Sequence, residues 1–231
     1  MPPANPPALL VLDGISRRYG DRVALAHLDL TLASGQCVAV LGVNGSGKST
    51  LLRIAAGRDT PTAGRVVYSG RLLTEDDLLV RTEIAVVGDM ASSYPDLTVR
   101  EHLLLVAVAH GAGRGAGELA DRALAECRLA DHGGALPGAL SSGQLQALHL
   151  AAVLVRPRRL MVLDEPEQRL DPAARRWLAG LLQAEKRAGA TVLMATHHAE
   201  LAASVADHVL VLSDGAVIAA GTPDEALAQI R

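Results

Sequence analysis

Two cysteines, Cys37 and Cys127, are all the thiol that this 231-residue chain contains. That is too few for a disulfide scaffold or a cysteine-built metal cluster, so both are expected as small buried hydrophobes in a reducing, intracellular setting. Long apolar runs are missing as well. LLLVAVA from Leu103 and LAAVLV from Leu150 are the longest, well short of the roughly 18 residues that a membrane span needs. The opening MPPANPPALL has neither a positive lead nor a sustained apolar segment, which argues against a signal peptide and for a short frayed arm. There is no basic block either: 22 Lys and Arg stand against 25 Asp and Glu, a net charge of −3. No nucleic-acid partner is expected from that balance. Phenylalanine is absent, leaving one tryptophan and three tyrosines as the aromatics, and Lys48 and Lys186 are the only lysines.

What is present is apolar and alternating in type. Hydrophobic residues make up 49% of the chain, a high share that suits a parallel sheet buried on both faces or docking onto a membrane partner. Short apolar runs (CVAVLG, IAVVGD, RLMVLDEP, TVLMATHH, HVLVLSDG) are separated by helical patterns, which predicts an α/β fold with a mostly parallel sheet. Leu28, Leu30 and Leu32 alternate with polar or small residues, the pattern of an antiparallel, half-exposed β layer near the N-terminus. Helix starts are marked at Thr98 with Glu101, at Asp171 before Pro172, and at Thr222 with Pro223 and Glu225, each combining a cap with a helix-compatible first turn. Between 99 and 139 strand signals give way to helical, Gly-interrupted sequence, read as a helical subdomain inserted into the core. The run HGAGRGAGE follows no strand and reads as an inter-helix connection rather than a dinucleotide fingerprint.

Four short stretches carry the chemistry. In GVNGSGKST, Gly42 to Thr50, an apolar strand precedes and a helical run follows, the strand–loop–helix context of a phosphate-binding P-loop. Gly42, Gly45 and Gly47 let the backbone wrap so that successive N–H groups, including those of Asn44, Ser46 and Thr50, point at phosphate oxygens, with the helix dipole behind them. In a chain so poor in lysine, Lys48 is a specific choice: a compact ammonium fits between phosphates where a planar guanidinium does not. Ser49 would hold Mg²⁺ through its hydroxyl. RLMVLDEP ends a strand in Asp164 and Glu165, at the carboxyl edge where the P-loop also opens. There Asp164 can hold Mg²⁺ and Glu165 can take a proton from an attacking water. TVLMATHH ends a strand in His197, able to donate to a terminal phosphate or orient water, while His198 has no assigned role. LSSGQ, Leu140 to Gln144, opens a helix with Ser141 and Gln144 in capping-box spacing, so Ser141, Ser142, Gly143 and Gln144 form a second anion site.

Taken together these residues resemble the nucleotide-binding subunit of ATP-binding cassette (ABC) transporters, over nearly the whole chain. Tyr19 resembles the aromatic that stacks on adenine, GVNGSGKST Walker A, LSSGQ the signature, RLMVLDEP Walker B with its catalytic glutamate, Leu170-Asp171 the end of the D-loop, and His197 the switch histidine. The resemblance implies a P-loop NTPase core with an antiparallel N-terminal β layer, within one ABC-type domain over 1–231. A helical subdomain over 89–158 would carry a Q-loop-like segment and the signature helix. It also implies ATP and Mg²⁺ as ligands, a head-to-tail dimer with a second copy or a paralogue, and transmembrane permease subunits on other chains. The location implied is cytoplasmic, on the inner face of the cell membrane. Catalysis falls to Lys48, Glu165 and His197. Three positions depart from the family pattern: Asp89 where a glutamine is usual, added here as a candidate Mg²⁺ ligand, Ser142 in place of a glycine, and Glu167-Gln168-Arg169 before Leu170. ATP-driven transport, weighted toward export, is the leading expectation. A soluble ABC-type ATPase in a non-transport role and a weakly hydrolysing regulatory subunit stay open beside it.

Overall fold

A computed structural model describes residues 7–74, 82–88 and 93–230. Six strands form the central sheet: β3 (Cys37–Leu41), β6 (Ile84–Val87), β7 (Leu160–Asp164), β8 (Thr191–Thr196), β9 (His208–Ser213) and β10 (Ala216–Gly221), in the order β10-β9-β3-β8-β7-β6. All pairings are parallel except β9 with β10, a hairpin at one edge that the apolar runs alone did not announce. Burial on both faces explains the unbroken apolar runs. Cys37, Ala39 and Leu41 face one core, whereas Val38 and Val40 face the other, and Met161/Leu163 and Leu160/Val162 divide in the same way, as the two-residue period of a strand requires.

A second sheet, β2 (Arg22–Ala33), β1 (Ala8–Tyr19), β4 (Ala63–Tyr68) and β5 (Arg71–Leu72), is antiparallel throughout. Leu28, Leu30 and Leu32 point inward from β2 with exposed residues between them, in keeping with their spacing. Between the sheets lies α1 (Lys48–Ala55), whose Leu51, Leu52, Ile54 and Ala55 complete this core.

The other face of the central sheet is covered by α2 (Val99–Ala109), α3 (Ala116–Glu126), α4 (Ser142–Leu154), α5 (Pro172–Arg187) and α6 (Ala199–Val205), with α7 (Pro223–Ala228) against β9 and β10. The caps are formed as the residue pairs predict. Thr98, Ser141 and Thr222 each accept from the backbone N–H three residues on, and the acidic or amide partner returns to the cap, which satisfies donors a helix start leaves open. Asp171 caps α5 ahead of Pro172. The Gly-rich connection from α2 to α3 is an ordered turn over Gly113–Gly115. Both cysteines are buried and free, and burial pushes each thiol up to about 12, so neither is a thiolate at neutral pH.

Candidate functional site

The loop between β3 and α1 owes its path to glycine. Gly42, Gly45 and Gly47 have φ of 156°, 83° and 104°, and at two of them space is also short. A Cβ on Gly42 would lie 2.5 Å from the carbonyl oxygen of Leu212, and one on Gly47 would lie 2.6 Å from that of Ala24. Lys48 opens α1 with its ammonium buried at 5% exposure. It donates to the carbonyls of Gly42 and Val43 at 2.7 and 3.1 Å and stands 3.7 Å from Glu165 Oε1. The loop is stitched to its surroundings: the N–H of Gly215 donates to the Ser46 carbonyl, and that of Ala26 to the Gly215 carbonyl.

From the other side β7 delivers Asp164 and the turn after it Glu165. Glu165 has φ +46°, a region that costs a non-glycine residue free energy, and its N–H is tied to the Ala195 carbonyl on β8. Its carboxylate is shared: Oε1 faces Lys48, and Oε2 lies 3.8 Å from His197 Nδ1.

These elements enclose a cavity of about 610 Å³ lined by Tyr19, Asn44, Gly45, Gly47, Lys48, Ser49, Thr50, Asp164 and Glu165, all singled out in the sequence. Four cations share the lining, Lys48 with Arg22, Arg53 and Arg169. In a chain of net charge −3 this concentrates positive charge where a polyanion would sit. Tyr19 stands at the rim with its hydroxyl donating to Asp59 and accepting from Arg53, and with Arg17 against its ring at 4.5 Å from the centroid. Ser46 does not line the cavity. It lies under the loop, with its hydroxyl oxygen buried and without a hydrogen-bond partner among the described residues. His197 is not among the lining residues either; it stands beside Glu165 with its side chain 48% exposed. Asp89 lies outside the described residues.

The comparisons with known proteins agree with this geometry. Residues 25–168 match the family described as ABC transporter. The chain belongs to that family. It is 38% identical over 221 residues, 95% of this chain and 70% of the relative, to the Daunorubicin resistance ATP-binding protein DrrA3 of Streptomyces coeruleorubidus. To the Nod factor export ATP-binding protein I of Rhizobium sp. (strain N33) it is 35% identical over 213 residues, covering 92% of this chain and 70% of that one. Among solved structures, a dimeric ATP-binding cassette in a post-hydrolysis state bound to ADP and Pi superposes with a TM-score of 0.85 at 25% identity, covering 93% and 98% of the two chains. The cbiO1 subunit from Clostridium perfringens, part of the ABC transporter complex cbiONQ, does so with a TM-score of 0.84 at 27% identity over 96% and 91%. The chain is thus an ABC ATPase, an ATP-binding subunit whose hydrolysis powers transport through a separate permease.

In this ABC ATPase the stretch that resembles the signature lies apart from the cavity beside Lys48. Ser141, Ser142, Gly143 and Gln144 line a cavity of about 370 Å³ with Arg128, Leu170, Asp171 and Trp177. Ser142 is exposed at the first turn of α4. The Gln144 side chain is engaged: its Oε1 accepts from the Ser141 N–H at 2.9 Å, and its Nε2 lies 2.8 Å from His132 Nε2. The same helix also reaches the cavity beside Lys48, through Gln146 and His149. They stand three apart on one face, a spacing present in LSSGQLQALHL but not read there as site-forming. Gln146 donates to the Pro166 carbonyl at 3.0 Å, joining α4 to the turn that carries Glu165. Burial, His102 and Arg169 together hold the His149 imidazole below its ordinary range, so it is neutral at pH 7. Arg169 lines both cavities.

Proposed function

We propose that this chain is the ATPase subunit of an exporter, binding Mg·ATP between the loop 42–50 and the end of β7. The observation that carries this is the convergence of Lys48, Ser49, Asp164 and Glu165 on one cation-rich cavity. The backbone donors of Gly45 to Thr50 and the Lys48 ammonium would hold the phosphates, and Tyr19 would take the adenine on its ring. Ser49 and Asp164 suit Mg²⁺, since both offer hard oxygen ligands to the same cavity. When bound, Mg²⁺ neutralises charge developing on the phosphoryl oxygens. Glu165 acts as the proton acceptor for water, with one carboxylate oxygen near Lys48 and the other near His197, and His197 orients the water or the terminal phosphate.

The signature cavity is built of residues that do not line the nucleotide cavity of the same chain, apart from Arg169. A helix start that attracts anions is therefore offered to a second molecule, which supports a head-to-tail dimer with a copy or paralogue. The segment 89–158 would be the subdomain that presents it, and the permease would hold the assembly at the inner face of the membrane. Among the described residues no helix is long and apolar enough to cross one. Export rather than import is favoured by relatives named for drug resistance and for Nod factor export, although a relative named for Fe(3+) import is 36% identical.

The test is turnover and assembly of purified protein. Glu165→Gln is expected to slow hydrolysis by about 100- to 10,000-fold, the span of a general base, while ATP binding persists and ATP drives the variant from monomer to dimer in size-exclusion chromatography. Unchanged turnover would remove Glu165 from its role, and an ATP-saturated variant that stays monomeric would remove the dimer.

A further inference from the structure

One cluster beside the cavity joins His197 to two residues, Glu167 and His198, that hydrolysis as proposed does not use. Glu167 is 1% exposed. One of its oxygens accepts from the Thr196 hydroxyl, and the other, Oε2, is buried without a hydrogen-bond partner among the described residues. His197 Nδ1 is 3.8 Å from Glu167 Oε1. The His198 ring packs against that of His197 with centroids 4.2 Å apart, and its backbone N–H is fixed by the Thr196 hydroxyl at 3.0 Å. One ligand atom from each of Glu167, His197 and His198 falls within 4.8 Å of the others.

We propose that Glu167, His197 and His198 form a binding site for a divalent transition ion of the zinc type, distinct from the nucleotide's Mg²⁺. Two imidazoles and one carboxylate are the donor set that zinc, nickel or cobalt takes and that magnesium does not. Ligands about 2.0–2.1 Å from a tetrahedral ion lie about 3.3 Å apart. The cluster therefore needs a contraction of at most roughly 1.5 Å, which the exposed His197 supplies by side-chain rotation, and a fourth position is left for water. Two features prepare the site. The Thr196 hydroxyl orients the carboxylate, as outer-shell hydrogen bonds do for metal ligands. A buried carboxylate oxygen without a hydrogen-bond partner among the described residues gains most from a cation. Arg175 places one guanidinium nitrogen 3.0 Å from each ring nitrogen of His198. A neutral imidazole offers a single lone pair, so the ion takes His198 only by displacing Arg175 from the nitrogen that accepts its N–H.

The consequence rests on the function proposed above: an ion that holds His197 withdraws it from the phosphate, so the site would inhibit hydrolysis. Binding itself is tested without nucleotide. Tag-free, nucleotide-free protein is titrated with Co²⁺, followed by its visible d–d absorption, and with Zn²⁺ by calorimetry. One ion per chain and a tetrahedral cobalt band are expected. Affinity should fall at least about tenfold in Glu167→Gln and in His198→Asn, because loss of an outer-shell partner alone costs 10- to 100-fold. His198 is only half-buried, so its variant reports even where the buried Glu167→Gln folds poorly. Zn²⁺ added below the ATP concentration should then inhibit turnover of the native chain more than that of His198→Asn. A cobalt spectrum and Zn²⁺ affinity the same in native protein and His198→Asn would overturn the site, whatever the ATPase result.

Discussion

Replacing Gly47 by alanine separates two ways in which one glycine serves the phosphate loop. Its φ of 104° costs an L-residue about 1–2 kcal/mol. The added methyl would in addition lie 2.6 Å from the Ala24 carbonyl oxygen and 2.8 Å from Leu25 Cδ2. Neither neighbour moves freely: Ala24 and Leu25 belong to β2, Leu25 is fully buried, and the next residue, Ala26, is hydrogen-bonded to Gly215. Overpacking of this kind costs about 1–3 kcal/mol more, so the variant is expected to lose roughly 2–5 kcal/mol in total. Gly45→Ala is the internal control. Its φ of 83° imposes the same backbone penalty, but a Cβ there meets nothing within 4 Å. The difference between the two, about 1–3 kcal/mol, is the steric part alone, or about 3 °C of melting temperature per kcal/mol for a chain of this size. Thermal melts with and without Mg·ATP measure both stability and site. ATP at about 100 times its Kd adds about 2.7 kcal/mol to a protein that binds it, and that increment should shrink in Gly47→Ala because the displaced turn carries the phosphate-binding N–H groups. Equal destabilisation of the two variants would refute the reasoning.

Three further outcomes are expected. Arg158 grips Glu185 through two hydrogen bonds of 2.7 and 2.9 Å and donates to the Leu154 and Arg156 carbonyls at the end of α4. Glu185→Ala should therefore cost about 2–4 kcal/mol in urea denaturation, slightly less than a fully buried pair, and a loss below 1 kcal/mol would refute the pairing. Ser141→Ala removes the cap of the signature helix and should cost about 1 kcal/mol; because the same residue lines the second cavity, dimerisation with ATP should weaken as well. His102 is 3% exposed, and burial lowers its pKa below the ordinary imidazole value. The unfolded chain then binds the extra proton first, so stability is complete above about pH 6.5 and declines as the pH falls below it. His102→Leu should flatten that slope in melts run between about pH 7.5 and 5.5, and an unaltered slope would assign it to other groups, His149 foremost.

Most of the framework was legible because strand and helix periodicities are local. The apolar runs of β3, β7 and β8 read as doubly buried strands and do divide between two cores, and the caps at Thr98, Ser141, Asp171 and Thr222 need only residues three apart. Gly42 to Thr50 was legible for the same reason, since glycine spacing encodes backbone direction. Less legible was anything assembled from distant segments. Arg22 and Arg53 look like ordinary surface charges until β2 and α1 bring them to the cavity that Asp164 and Glu165 enter from β7. His197 was expected to donate to a terminal phosphate or orient water, and where it stands, beside Glu165 and Glu167, depends on how β8 lies against β7.

By itself the order of residues determined the groups available: a glycine-turned loop ahead of a helix, two carboxylates at a strand end, and a helix with a capping box at its start. Each is short-range, with its information in neighbouring side chains and backbone freedom. Tertiary structure alone decided which of these share a cavity. Parallel register places residue 164 of β7 beside residue 195 of β8, and residue 41 of β3 beside residue 196, so the strand ends that carry the reactive groups finish along one edge. The separation of the Ser141–Gln144 cavity from the one beside Lys48, and the gathering of Glu167, His197 and His198, follow from that packing, because distances between segments far apart in the chain are set by the core and not by spacing in sequence.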